Sequence, residues 1–407
     1  MSDIYEHTSL TPLRVARESG YIDWASRPAI FKQYPEFLYR ISFSDHEALK
    51  VIELSRKITA QTKRGDRSYY QLNTPSAGNL HPVELYVQIR ALKGIISGIY
   101  HVDALNNSLV LIREIEKEGI EPSVGLSEKF NGIIFIVSSV PYRSEWKYRD
   151  RAFRYCFLDA GHQIGAINAA ANFCGQSVTI LSEFDANSLN IQMGFLNQEF
   201  CCGVLAIGST RIMAVERIKS PLMQVAPTDY CESNDYITTE ILEQGVYSAI
   251  VDEINSTVDE KAILQRRSAR YFSQNKMPKS RFEHFMQLST KMSKSLYSVV
   301  LQSDFIEAGV YKNGKLIKVG HFSKEITELL VNQNFVSNAS MVVVITSEQF
   351  NSNELMNAAA SAHRTQLEAQ MDGVGFSGIG AFYDEKLQKF LQTKEYILYV
   401  YAIGSNS

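Results

Sequence analysis

The chain has 407 residues, 45% apolar and 21% charged. That balance belongs to a globular protein with a sizeable core and excludes disorder as the main state. Lys and Arg total 41 against 44 Asp and Glu, a net charge of -3, so there is no basic footprint for nucleic acid or an anionic membrane. At about 150 residues per domain, the length predicts two or three domains.

No stretch reaches the roughly 18 apolar residues of a membrane span. The first ten residues carry Asp3, Glu6 and His7 and no apolar run, so no signal peptide is expected. Five cysteines (Cys156, Cys174, Cys201, Cys202, Cys231) form an odd set without metal-ligand spacing. They read as inert thiols of a reducing cytoplasm, and no metal is expected.

In chain order, the first motif is Thr74-Pro-Ser-Ala-Gly-Asn-Leu-His-Pro82, ahead of a strand over Val83–Ile89. Pro75 fixes its own φ, and Ser76, Ala77 and Gly78 are small enough to let a flat ligand approach the backbone. Asn79 adds an amide that both donates and accepts. A plain turn before a strand would have the same composition.

An apolar strand over 132–138 precedes Ser144-Glu-Trp-Lys-Tyr-Arg-Asp-Arg-Ala-Phe-Arg154. Lys147 beside Tyr148 could lower the phenol's pKa and make it a proton acceptor. An ordinary polar helix start is the alternative. The stretch Phe153–Cys174 is rich in Ala and Gly, with Phe157, Leu158, Ile164, Ile167 and Ala171 near one stripe, and reads as a helix packed on a sheet. His162, in Asp159-Ala-Gly-His162, reads as a satisfied core or interface histidine. A strand over 203–209 follows, and then Lys219–Asp229, whose two prolines suggest a linker.

Gln265-Arg-Arg-Ser-Ala-Arg-Tyr-Phe272 puts Arg266, Arg267, Ser268 and Arg270 within five positions. Guanidinium forks and a hydroxyl suit a phosphate, and equally a solvated helix end. After a strand over 340–346 and an Ala-rich helix over 354–371 comes Asp372-Gly-Val-Gly-Phe-Ser-Gly-Ile-Gly-Ala-Phe382. Its four glycines in eight positions read as a loop able to approach a cofactor. It lacks the spacing of a dinucleotide fingerprint. A last strand over 400–405 closes the chain.

These elements repeat. Each half has an apolar strand, an Ala-rich helix and a final strand ending in Ala-Ile-Gly-Ser. Near-continuous apolar strands imply central positions buried on both faces. The expected fold is α+β, a mixed sheet flanked by helices in each of two similar halves forming a pseudo-dimer. The first domain is placed at 1–215, a linker at 216–245 and the second domain at 246–407.

Taken together the motifs resemble the nitroreductase superfamily, in particular the SagB/ThcOx-type flavin dehydrogenases with two fused nitroreductase-like halves. Asp23-Trp24, Lys32-Gln-Tyr-Pro35, Pro75–Pro82, Gly98-Ile-Tyr-His101, Trp146–Tyr155, Asp159–His162, Arg266–Arg270 and Gly378–Phe382 occur in the family's order over nearly the whole chain. The resemblance implies FMN at the interface of the halves. Arg266, Arg267, Ser268 and Arg270 would hold the ribityl phosphate, and Gly380 and Ala381 would offer backbone near the flavin. Pro75, Ser76, Ala77 and Asn79 would cover the ring from the first half, and Lys147 with Tyr148 would act on the substrate. The first half lacks the Arg/Ser motif and the second lacks the Pro-Ser loop, so one complete FMN site and one dead site are expected.

The implied activity is an FMN-dependent dehydrogenase or oxidase of azoline-type C–N/C–S substrates in peptide natural-product biosynthesis. An NAD(P)H-dependent nitro- or quinone reductase is a second reading, and a flavin-holding non-catalytic subunit of a biosynthetic complex a third. Expected partners are a small-molecule, peptide or carrier-bound substrate and a biosynthetic complex, with a homodimer of pseudo-dimers also compatible. The expected location is cytoplasmic, with no nucleic-acid or membrane partner.

Overall fold

The structure, a computed structural model, describes residues 3–228 and 258–406 except 19, 21, 66, 196, 293 and 294. Cys231 and the linker from 229 to 245 lie outside the described residues.

Strand β1 (Arg40–Ser42) is followed by a separate hairpin, β2 (Ile58–Arg64) and β3 (Arg67–Leu72). Then come β4 (Val83–Arg90), β5 (Gly98–Asp103), β6 (Ser108–Glu114), the short β7 (Glu118–Gly119) and β8 (Glu128–Ser139). After a long helix follow β9 (Thr179–Ile180), β10 (Phe200–Ala214) and the short β11 (Glu216–Arg217), which pairs with β7. The first main sheet has the order β1-β6-β5-β4-β8-β10-β9. The second is built from β12 (Ser295–Val300), β13 (Gly309–Lys312), β14 (Lys315–Val319), β15 (Met341–Ser347), β16 (Val374–Ile379) and β17 (Tyr396–Ser405). Its order is β14-β13-β12-β15-β17-β16.

The second order repeats the first: β12, β15, β17 and β16 take the places of β4, β8, β10 and β9. The repeated apolar strands are central, as their composition implies. β8 lies between β4 and β10, and β15 between β12 and β17, all antiparallel. Burial on both faces depends on what covers the sheet, so apolar runs carry no information on strand direction.

Each central strand leads toward a long Ala-rich helix, Ala152–Phe173 in the first half and Ser352–Met371 in the second. Almost every residue of the first is buried, so it is a core helix rather than a one-faced surface helix. The two helices pack on one another where side chains are smallest. A Cβ on Gly161 would lie 2.2 Å from the Met356 carbonyl oxygen, and one on Gly165 2.8 Å from the His363 Cβ. His162 and His363 meet at this crossing, Nδ1 to Nδ1 at 3.3 Å. His162 is thus the buried interface histidine that its helix context suggests.

The start of the chain clasps the second half. Asp384 accepts the Leu10 amide (2.9 Å), Arg151 Nη1 (2.8 Å) and Arg154 Nη1 (2.6 Å). All these groups are buried, and Arg154 also donates to the Thr8 hydroxyl at 2.8 Å.

Two local expectations are corrected. The glycine-rich run is not a loop throughout: Val374–Ile379 is edge strand β16, in register with β17 from Val374↔Ser405 to Ile379↔Val400. Val374, Phe376 and Ile379 are buried and supply the apolar side chains that hold it there. Lys147 and Tyr148 do not start a helix. They end the short helix Pro141–Tyr148, which breaks at Arg149 (φ 46°) before the long helix begins at Ala152. Of the cysteines, Cys156, Cys201 and Cys202 are buried, Cys174 is half-buried, and all four are free thiols.

Candidate functional site

The Pro75–Asn79 segment is a bridge between hairpin and sheet, held by its own polar groups. Gly78 and Asn79 both have left-handed φ, 61° and 59°, a conformation that glycine and asparagine tolerate best. The Asn79 amide fixes the turn: Nδ2 donates to the Tyr70 carbonyl at 2.8 Å, and Oδ1 meets His81 Nε2 at 2.9 Å. Arg27 Nη2 donates to the Asn79 carbonyl at 2.6 Å. Asn79 therefore lines the site while its side chain is engaged within the protein. The Ser76 hydroxyl accepts the His81 amide at 2.9 Å.

Across from this loop lies the basic segment of the second half. Arg266, Arg267, Ser268 and Arg270 line a cavity of about 700 Å³ together with Pro75, Ser76, Gly78 and Asn79. That volume falls in the usual range for small-molecule sites, about 300–1,000 Å³. Arg266 is buried, and its Nε and Nη2 donate to the Asn73 and Leu72 carbonyls at 2.7 and 3.2 Å. Its Nη1 is buried without a partner. Burial, then the neighbouring Arg267, pulls the guanidinium down to about 9. Arg267 is tied to the hairpin, donating to the Thr59 hydroxyl at 2.9 Å and the Thr59 carbonyl at 3.2 Å. Arg270 is exposed at the cavity rim.

A second, narrower cavity of about 190 Å³ shares Pro75, Ser76, Gly78, Ser268 and Arg270 with the first. Ala77, Tyr148, Gly380 and Ala381 line it as well. Of the residues singled out from sequence, all but Lys147 line one of the two cavities. Lys147 stands just behind. A Cβ on Gly78 would lie 2.5 Å from the Tyr148 hydroxyl and 3.3 Å from Lys147 Nζ, so a side chain there would displace the end of Tyr148.

The expected activation of Tyr148 by Lys147 is reversed. Burial pushes the Tyr148 phenol up, with Tyr155 and Asp159 acting in the same direction and Arg270 opposing. Lys147 Nζ sits 5.1 Å from the Tyr148 ring centroid and 5.2 Å from the Trp24 ring, so it acts as a cation over ring faces. Desolvation, then Arg27, lowers the Lys147 pKa. Tyr148 is therefore protonated at neutral pH and suited to donating a hydrogen bond.

Several lining residues carry no signal that sequence reasoning could use. Gln366 projects its Oε1, buried and without a partner, and donates Nε2 to the Arg267 carbonyl at 3.3 Å. Gln333 Nε2 donates to the Ala381 carbonyl at 3.2 Å. Tyr399 donates or accepts at His162 Nε2, 2.9 Å away. Arg151 and Asp159 lie in the Trp146–Tyr155 and Asp159–His162 stretches, where the sequence marks no role for them. Arg151 Nη2 donates to the Gly380 carbonyl at 2.9 Å, which couples that backbone to the Asp384 cluster. At Gly380 a Cβ would meet the Tyr155 ring at 2.2 Å.

The composite site can be set against known proteins. The nitroreductase family model matches residues 263–405. That stretch of the C-terminal half is similar to nitroreductase-family domains. A Methanocaldococcus jannaschii protein provisionally named a nitroreductase is 29% identical over 119 residues, covering 28% of this chain and 60% of that protein. The match therefore spans about 60% of that relative's length. A crystal structure provisionally named a nitroreductase, from Anabaena variabilis, superposes with a TM-score of 0.81 at 21% identity, covering 99% of both chains. The whole chain, first half included, thus has the nitroreductase fold. Among the described residues no helix is long and apolar enough to cross a membrane.

Proposed function

We propose that this chain is an FMN-dependent oxidoreductase with one composite site, of the SagB/ThcOx-type dehydrogenase kind. The observation that carries the reading is the meeting of the Arg266–Arg270 segment with the Pro75–Gly78 loop, one from each half, around one pair of joined cavities. The two units are assigned to 1–215 and 246–407, joined by 216–245, each with its own main sheet.

The residues present fit FMN. A phosphate needs cationic donors, and Arg266 Nη1 is a buried guanidinium donor without a protein partner. Arg270 and Ser268 line the same cavity, while Arg267 is held by Thr59 and contributes charge. A planar ring needs bare backbone, and Gly78, Gly380 and Ala381 supply it around the narrower cavity. Gln366 Oε1 awaits a donor there. When bound, FMN supplies the two-electron redox chemistry.

The chain's own residues bind, orient and handle protons. Pro75, Ser76 and Ala77 wall the narrow cavity. Tyr148, protonated, donates a hydrogen bond to the substrate, and Lys147 adds a positive charge beside it. The substrate class is an azoline-type ring with a C–H next to nitrogen or sulfur, on a peptide or carrier. Anaerobic mixing of the FMN-loaded protein with a thiazoline-containing dipeptide, followed at the flavin absorbance band, tests this. Bleaching by the dipeptide supports the dehydrogenase. Bleaching by NADH or NADPH alone, with turnover of a nitroaromatic, assigns a reductase instead. Bound FMN that neither reduces assigns a flavin-holding subunit.

A further inference from the structure

The proposed oxidation releases a proton, and Tyr148 is held in its protonated form. Another group must receive it. We infer that Asp159 is the proton acceptor of the composite site, an inference that rests on the oxidoreductase reading above.

The geometry singles it out. Asp159 lies on the first long helix, one turn after Tyr155, and its side chain lines the narrow cavity with Ser76, Tyr148 and Gly380. The residue is only 7% exposed, yet Oδ2 has no hydrogen-bond partner. A buried carboxyl oxygen without a partner, on a residue that lines a cavity, is costly unless a bound group uses it. The structural alternative is that Asp159 merely holds the Pro75–Gly78 loop, since Ser76 and the Ala77 amide hydrogen-bond to it. That role occupies part of the carboxyl and leaves Oδ2 unexplained.

The surrounding charges agree. Burial raises the Asp159 carboxyl to about 7, against the pull of Ser76 and Ala77. On its own helix face Tyr155, Cys156 and His162. Burial raises the first two, and His162 is lowered to about 3, so all three are neutral near pH 7. Tyr148 from the preceding helix and Tyr399 from β17 are raised as well, with Asp159 among the causes. Arg270 is the cation that lines this cavity, at its exposed rim. Among these groups, Asp159 is the carboxyl that both loads and unloads a proton near neutral pH, as a general base requires.

The step balances. A proton leaves one sp3 ring carbon of the azoline for Asp159 Oδ2, and that C–H bond's electron pair stays on the substrate and forms the new carbon–carbon double bond. The adjacent carbon loses its hydrogen with two electrons, which FMN held at the Arg266–Arg270 segment would accept. Dioxygen accepts those electrons, and Asp159 returns its proton to water.

The test compares the wild type with Asp159→Asn, which keeps the shape and one acceptor oxygen for Ser76 and Ala77. Infrared difference spectra of the full chain, with and without FMN, follow carboxyl protonation from about pH 4 to pH 9 and need no substrate. The wild type should show one carboxyl titrating near neutral pH that the variant lacks. In the anaerobic reaction with the thiazoline dipeptide, the wild-type flavin reduction rate should rise through that same pH. The variant should be slower by about 10²–10⁴-fold and lose that pH step. A variant that is slowed but keeps the pH step would make Asp159 a positioning residue and overturn the inference. So would the absence of a near-neutral carboxyl in the wild type. A protein that binds no FMN defeats the oxidoreductase reading, and the infrared titration then still decides the protonation of Asp159.

Discussion

Replacing Gly161 by alanine tests how the two halves are held together. The new Cβ would lie 2.2 Å from the Met356 carbonyl oxygen and 2.8 Å from both the Met356 Cα and the Ala359 Cβ. Ordinary carbon contacts are about 3.5–4.0 Å, so the long helices must part by about 1 Å. The nearest obstacle is backbone in the middle of a helix, which cannot swing aside. Alanine gains about 1 kcal/mol over glycine from helix propensity. Overpacking costs typically 1–3 kcal/mol, and a backbone obstacle places this site at the upper end. The net expected loss is about 2 kcal/mol. Gly161→Val, with two more methyl groups and a β-branch, should lose about 3 kcal/mol or more. Gly165→Ala should lose less, because its closest approach, to the His363 Cβ, is 2.8 Å rather than 2.2 Å. Urea unfolding of the three variants against wild type measures the series. A Gly161→Ala protein as stable as wild type, or more so, would refute the close crossing and with it the geometry that brings the half-sites together.

Other expectations follow from single contacts. Arg270→Ala and Ser268→Ala should each weaken FMN binding by about one to two decades, since a charged hydrogen bond contributes roughly 1.5–3 kcal/mol. Unchanged affinity in both, by fluorescence titration of the apoprotein, would remove the phosphate from this segment. Arg151→Met leaves the buried Asp384 with one cationic partner and frees the Gly380 carbonyl. It should cost about 1.5–3 kcal/mol and raise amide hydrogen exchange around 380–384, and unaltered exchange there would show that Arg151 does not hold this backbone. The Asp159 carboxyl has a folded pKa of about 7, above its ordinary 3.8, so the folded state binds the extra proton between these values. Stability should therefore fall as pH rises through that window, by up to about 3 kcal/mol between about pH 5 and 7. Asp159→Asn should flatten that slope in pH-dependent unfolding, and an unchanged slope would assign it to other groups.

Much of this arrangement is legible in the sequence because it rests on local chemistry. The central strands β8 and β15 carry continuous apolar runs, and the long helices are marked by alanine. The Pro75–Asn79 turn and the Arg266–Arg270 segment are visible as motifs, since each works through its own residue types. What is not legible depends on contacts across the pseudo-dimer. Gln366, Gln333 and Tyr399 reach the cavity only because the second half folds as it does, and nothing in their neighbourhoods marks them. The environment of Tyr148 is hidden from the sequence for the same reason. Adjacency to Lys147 is a sequence fact, whereas burial beside Tyr155 and Asp159 is a tertiary one and dominates. The glycine-rich run read as a loop because glycine is rare in strands. Pairing with β17 and close approach to Tyr399 make it a strand: a Cβ on Gly378 would lie 1.9 Å from that hydroxyl.

The central claim is that one flavin site is shared between the halves. Apoprotein titrated with FMN, with free and bound flavin separated and the protein quantified, tests it directly. Saturation is expected at about one FMN per chain, abolished alike by disrupting the Arg266–Arg270 segment or the Pro75–Gly78 loop. Saturation at two per chain, or binding that survives loss of either segment, would contradict it.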